Sequence, residues 1–311
     1  MAERNVLSII IPLYNEEDNI EQFVQELNSH IEKYTFEVEV IFVDDGSKDN
    51  TVQKLTGKKI NSAMPSKIVK LSKNFGSHAA FRAGIENTTG NYITFLPADL
   101  QDPPELPQLL YDELSKGYDI VWAQRNSTKS GLFERLFSSF YAYLMKKFVN
   151  PQFPKKGFDV VMFNKKITKL LNDNVESNSS IFLQVLSLGF KQAFITYDKE
   201  ERKFGKSKWT ISKKIKLFID SFVAFSYSPI RFVTVMGFIM FFIGIFWTIY
   251  IVTREFIYGD LASGWPSLIS ILMIGFGITN ISLGIIAEYL WRTLDASRKR
   301  PVFIVDSVID L

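Results

Sequence analysis

The chain has no cysteine, so it holds neither a disulfide nor a thiolate metal centre. Its two histidines, His30 and His78, are too few for a histidine-rich metal site. The glycine spacing of a dinucleotide fold is missing: the PLYNEE turn has no glycine and DDGSKDNT has Gly46 alone. A P-loop is absent as well. Excess positive charge is small, +3 over 311 residues, which argues against nucleic acid and makes the location of the basic residues the informative feature. The apolar run before Pro12 is too short for a signal peptide, so the first half is expected to stay in the cytosol. Hydrophobic side chains are plentiful, at 47%, and this with the length implies about two domains, one of them in contact with lipid.

Apolar runs of strand length alternate with helix-period segments through the first half. Strands are predicted at Leu7–Ile11, Val38–Val43, Ile68–Leu71, Tyr92–Leu96 and Ile120–Trp122, and helices near Asn19–Tyr34, Thr51–Ile60, His78–Asn87 and Glu105–Lys116. Such βαβα alternation, with strands apolar on both faces, predicts an α/β fold with a mostly parallel sheet and flanking helices. Ligands of open sheets bind at the carboxyl ends of the strands. Polar clusters fall there: Tyr14, Asn15 and Glu16 after the first strand, Asp44 and Asp45 after the second, Lys73 and Asn74 after the third, Asp99 after the fourth. Any one of these could cap a helix, and Asn15 followed by acidic residues reads as a helix start. Four at one edge favour a shared site.

Each cluster has a chemical use. Asp44 and Asp45 can accept hydrogen bonds from ribose hydroxyls or a base imide, Tyr14 offers a ring, and Lys73 can meet phosphate charge. In NYITFLPADLQDPP a buried strand ends at Asp99, Gln101 and Asp102, oxygen donors that suit Mg²⁺ or Mn²⁺ carrying a diphosphate. The other reading is a polar turn that caps and starts the next helix.

The later part of the chain changes character. Residues 131–150 place Phe133, Leu136, Phe137, Phe140, Leu144 and Phe148 at helical spacing, with Lys146 and Lys147 near the end, predicting an amphipathic helix in the membrane interface. A second such helix, around Trp209–Phe225, leads into Phe232–Val252, whose 21 uncharged residues extend about 31 Å as a helix, enough to cross a bilayer. Another apolar run, Trp265–Ala287, follows. Basic residues crowd the outer flanks, at Lys206, Lys208, Lys213, Lys214, Lys216 and Arg231 before the first run and Arg292, Arg298, Lys299 and Arg300 after the second. That bias predicts a multi-pass protein of the cell membrane, with both flanks, the catalytic domain and the C-terminus cytoplasmic. The expected organisation is a catalytic domain over 1–200, a basic juxtamembrane loop and helix over 201–230, two spans over 231–290 and a tail over 291–311.

Five segments, SIIIPLYNEEDNI, IFVDDGSKDNT, LSKNFGSHAAFRAGIENTTGNYITF, ADLQDPPEL and ERKFGKSKW, in this order, resemble family-2 glycosyltransferases of the GT-A fold. Within that family the pattern is similar to polyprenyl-phosphate glycosyltransferases, relatives of dolichyl-phosphate mannose synthase and bactoprenol glucosyltransferases. The resemblance implies donor contacts at Pro12, Tyr14, Glu16, Asp44, Asp45, Lys73, Ala98, Asp99 and Gln101, metal contacts at Asp99 and Gln101, and catalytic roles for Asp99 and Asp159. It implies that Arg202 and Lys208 grip a phosphate, with Arg125, Arg135 and Ser138 as further candidates; the bland reading of Arg202 and Lys208 is attraction to anionic lipid. Two departures stand out: Pro97 replaces an acidic residue, and Val160 and Val161 replace an aromatic-Arg pair after Asp159.

The expected activity is inverting transfer of a hexose, glucose or N-acetylglucosamine first, from a nucleotide sugar, UDP-linked, to polyprenyl (undecaprenyl) phosphate for cell-envelope glycosylation. The bilayer is a further partner, and the interfacial helices and spans offer surface for a homo-oligomer. A processive polysaccharide synthase is one alternative, although Glu288–Arg292 reads EYLWR where that class has Gln-x-x-Arg-Trp. A non-catalytic membrane partner that keeps the fold is the other.

Overall fold

The computed structural model describes residues 5–62, 65–99, 101–126, 132–154, 157–176, 179–199, 211–226, 228–259, 264–298 and 300–311. The chain divides into two compact units, Met1–Asp220 with Pro301–Leu311, and Ser221–Arg300.

In the first unit, β1 (Val6–Leu13), β2 (Glu37–Asp44), β3 (Lys67–Leu71) and β4 (Tyr92–Phe95) alternate with α1 (Ile20–Ile31), α2 (Thr51–Thr56), α3 (Ser77–Glu86) and α4 (Leu106–Leu114). There follow β5 (Ile120–Arg125), α5 (Leu132–Phe148), β6 (Val160–Asn164), α6 (Lys165–Asp173), α7 (Ile181–Ser187), β7 (Gln192–Tyr197) and α8 (Ile211–Phe225), the last crossing the unit boundary. The eight-stranded sheet has the order β7-β5-β6-β4-β1-β2-β3-β8, in which β8 is Val305–Asp310. Strand β1 runs parallel to β2 and β4, β2 to β3, and β5 to β7; β6 is antiparallel to β4 and β5, and β8 to β3.

Burial explains this order. Leu7, Ile9, Ile10, Ile11, Val40, Ile41 and Phe42 are inaccessible on both faces of the central strands, as helix-covered parallel strands require. Helix α1 turns Ile20, Phe23, Val24, Leu27 and Ile31 inward at helical spacing. At the amino ends of β1 and β2 the buried Glu39 accepts from the Ser8 hydroxyl and the Thr89 N–H, pinning the end of the sheet opposite to the ligand edge.

Strands β6 and β7 were not among the predicted elements, and the expected C-terminal tail is instead an edge strand over its last residues. Strand β8 pairs with β3 from Lys67↔Asp310 to Leu71↔Val305, and Ser72 donates its N–H to Ile304 O at 2.9 Å. Helix α5 is half packed. Ala142 and Met145 are buried and Tyr141 meets Phe153 and Phe218, whereas Phe140, Tyr143 and Phe148 are exposed beside Lys146 and Lys147.

The second unit holds α9 (Ser228–Tyr258) and α10 (Trp265–Ser297), both long and apolar enough to cross a membrane. Phe232, Phe238, Phe242, Phe246 and Phe276 are exposed along them. The Tyr289 hydroxyl donates to Ser226 O at 2.8 Å, and Glu288 pairs with Arg292 one turn on.

Candidate active site

Strand direction gathers the site. The carboxyl ends of β1 to β5 and β7, and the amino end of the reversed β6, lie along one sheet edge, so Tyr14, Asp45, Lys73, Asp99, Arg125, Asp159 and Tyr197 emerge there from seven strands.

The donor half is built by two loops that zip together. Asn15 adopts φ 50°, receives no helix-capping role, and accepts the Lys48 N–H on its Oδ1 at 2.8 Å. Its own N–H goes to Ser47 Oγ at 2.9 Å, and the Glu16 N–H goes to Thr51 Oγ1 at 2.8 Å. Helix α1 starts later, after Asn19, which corrects the reading of Asn15 as a cap. Asp45 is buried and accepts the N–H groups of Phe75 at 2.7 Å and Gly76 at 2.9 Å, tying the turn after β2 to the start of α3. Asp44 accepts the Ser47 N–H at 3.2 Å. Burial pushes both carboxyl groups up, against the pull of these N–H donors. Gly46, at φ 69°, lets the turn pass so close that a Cβ would stand 2.5 Å from Lys73 C and 2.7 Å from Asn74 N. Pro12, Tyr14, Glu16 and Asp99 are half-buried along this edge, Ala98 is buried and Lys73 is exposed, its Nζ 5.1 Å from the Phe75 ring centre.

Asp99 accepts the Gln101 N–H on Oδ1 at 3.3 Å. Among the described residues no group of three His, Asp or Glu side chains could cage a metal. One carboxylate with a neighbouring amide does fit Mg²⁺ or Mn²⁺ held largely by substrate phosphate and water. Asp102 is not the third oxygen donor that its position in DLQDPP suggests. Its side chain is fully buried, receives the Tyr197 hydroxyl in a short hydrogen bond, and pairs with Lys199 Nζ at 3.1 Å. Burial raises its pKa, and Lys199 and Tyr197 pull it back.

Asp159 sits at the opposite side of this cluster. Arg125 Nη2 donates to its Oδ1 at 2.6 Å, and Tyr197 Oη lies 3.4 Å from its Oδ2. Arg125 is thus committed to a carboxylate, in place of the expected Lys155 or Lys156 partner for Asp159; those two lysines lie outside the described residues. Ser138 is exposed on α5, and Arg135 is on the same helix. Arg202 and Lys208 lie outside the described residues. Tyr197 and Lys199 went unrecognised because β7 did; a tyrosine closing an apolar alternation next to a basic residue was the available signal.

Residues 8–197 match the model of glycosyl transferase family 2. The chain belongs to this family. An uncharacterised glycosyltransferase of Synechocystis sp. is 33% identical over 304 residues, 97% of this chain and 95% of its own length. The prophage bactoprenol glucosyl transferase homolog of Escherichia coli K12 is 30% identical over 308 residues, 97% of this chain and 99% of its own. The undecaprenyl-phosphate 4-deoxy-4-formamido-L-arabinose transferase of Pseudomonas fluorescens is 29% identical, covering 97% and 89%. Among solved structures, glucosyl-3-phosphoglycerate synthase from Mycobacterium tuberculosis, crystallised with Mn²⁺, UDP and phosphoglyceric acid, superposes with a TM-score of 0.50 at 17% identity, over 70% of this chain and 76% of that one. That likeness establishes the GT-A-like fold of this family-2 glycosyltransferase.

Proposed function

We propose that this glycosyltransferase moves one hexosyl group, with inversion, from a UDP-linked sugar to polyprenyl (undecaprenyl) phosphate, giving a lipid-linked monosaccharide for cell-envelope glycosylation. The observation that carries the reading is one sheet edge on which the donor loops meet the Arg125–Asp159 pair, in a chain with two helices suited to a bilayer. Relatives named for bactoprenol and undecaprenyl phosphate, similar over 97% of the chain, support the lipid acceptor.

Asp44, Asp45 and Tyr14 bind the nucleoside, and Lys73 meets phosphate charge. Asp99 and Gln101 hold Mg²⁺ or Mn²⁺, whose charge stabilises the departing diphosphate. Asp159, fixed by Arg125, accepts the remaining proton of a monoanionic acceptor, while Arg202 and Lys208 grip its phosphate with Arg135 and Ser138 nearby. The exposed aromatic face of α5, flanked by lysines, suits the membrane interface. Because the chain leaves the first unit at Asp220 and returns to it at Pro301, a membrane hairpin would have both ends on one side. The basic flanks make that side cytoplasmic, where nucleotide sugars are.

The test is incubation of the purified protein with undecaprenyl phosphate and a panel of labelled nucleotide sugars, UDP-glucose and UDP-N-acetylglucosamine first. One sugar per lipid supports the reading. A polymer would indicate a processive synthase, and no incorporation from any donor a non-catalytic partner.

A further inference from the structure

The two oxygens of Asp159 have unlike partners. Oδ1 accepts from Arg125 at 2.6 Å, whereas Oδ2 faces the Tyr197 hydroxyl at 3.4 Å. A tyrosine hydroxyl has one proton to give, and that of Tyr197 is already engaged with Asp102 Oδ1. Asp102 is a strong acceptor because Lys199 Nζ stands 3.1 Å from Oδ1 and 3.3 Å from Oδ2. Both groups are withdrawn from water, where a lone ammonium beside a neutral acid would be costly. Toward Asp159, Tyr197 therefore presents lone pairs. These suit a carboxyl whose Oδ2 carries hydrogen and do not suit a second carboxylate oxygen.

We propose that Tyr197 is a positioning residue for Asp159, its oxygen receiving the hydrogen bond that Asp159 Oδ2 donates after taking the acceptor's proton, with Asp102 and Lys199 fixing this polarity. The inference rests on the transfer reading and deepens it. In the step, the P–O–H proton of a monoanionic phosphate passes to Asp159 Oδ2, and the freed oxygen bonds to the anomeric carbon. The bond from that carbon to the donor phosphate breaks, its electron pair leaving with the nucleoside diphosphate. Arg125 stays on Oδ1, so the proton has one oxygen to go to. The groups facing Asp159 are Arg125 from β5, Tyr197 from β7, and Asp102 with its partner Lys199. Burial and the adjacent carboxylates push the Tyr197 hydroxyl well up, so it keeps its own proton throughout.

Carbon-13 NMR of the full chain in detergent micelles, labelled at aspartate carboxyl carbons, follows protonation without requiring turnover; Asp159→Asn assigns the signal. In Tyr197→Phe the protonated acid loses its acceptor, so the Asp159 midpoint should fall by about 0.5 to 1 pH unit. Lys199→Arg keeps the cation and should leave the midpoint in place. A midpoint that rises in Tyr197→Phe would show the hydroxyl donating to an ionised Asp159, and an unmoved one would show packing alone; either overturns the proposal, as does a shift in Lys199→Arg. In parallel assays the acid limb of the wild-type pH–rate profile should move to lower pH in Tyr197→Phe. Absence of lipid product from the wild-type protein, with the NMR shift present, would sink the transfer reading and leave the Tyr197–Asp159 pairing standing.

Discussion

Arg125 Nη2 lies 2.6 Å from Asp159 Oδ1, joining the last residue of β5 to the residue before β6. The contact crosses the antiparallel step of the sheet, and it turns two side chains far apart in sequence into one unit at the ligand edge.

A phosphate monoester loses its second proton near pH 6, so a base matters most below that value. Asp159→Asn should therefore cut transfer strongly below about pH 6 and progressively less above it. Initial rates across that range check this. A deficit that stays constant from about pH 5.5 to about pH 8.5 would leave Asp159 with positioning alone.

Gly46→Ala places a methyl group against Lys73 and Asn74 backbone atoms, at a φ of 69° that side chains rarely adopt. Backbone cannot give way as a flexible side chain would, and the expected loss is about 1 to 3 kcal/mol, expressed as weaker nucleotide binding, reduced stability, or both. Calorimetric titration with UDP and a thermal melt measure the two.

The central strands were legible because burial on both faces leaves continuous apolar runs, as in SIII and VEVIFV. Residues 160–164 are as apolar, but their strand lies reversed between β4 and β5, a placement that local pattern does not encode. Strand β8 is an exposed edge, and VDSVID shows too weak an alternation to announce it. The ligand edge was readable from the polar residues that end β1 to β4. Asp102 was not: three residues from Asp99 it looks like another ligand, and only the fold turns it inward to Tyr197 and Lys199.

His78, packed against Phe81 and Phe182, has its pKa lowered to about 4 by burial and by Arg82. Above about pH 6.5 the imidazole is neutral in both folded and unfolded chains and contributes no pH dependence. Between that value and about 4 the unfolded chain binds a proton that the folded one resists, so stability should fall with falling pH. The loss by pH 4 should be on the order of 2 to 3 kcal/mol, and His78→Phe should remove this part of the slope. Denaturant melts of both proteins across the range decide it; equal slopes would contradict the assignment.

Arg202→Ala and Lys208→Ala should each weaken use of the lipid phosphate by about 2 to 3 kcal/mol. Hydrolysis of the donor by water needs no acceptor phosphate and should suffer less. If hydrolysis and transfer fall equally, the two residues belong to the donor diphosphate.

Asp99→Ala should abolish transfer while circular dichroism and membrane insertion remain as in the wild type, and excess EDTA should stop the native protein. Full turnover in either case would remove the cation from the account.

The most direct measurement is mass spectrometry of the lipid extract after the protein has been supplied with a UDP-hexose and either undecaprenyl phosphate or undecaprenol. The expected result is one hexose added to the phosphate-bearing lipid, none to the alcohol, and none with Asp99→Ala. Hexose chains on the lipid, or equal glycosylation of the alcohol, would contradict a transferase that uses polyprenyl phosphate as its acceptor.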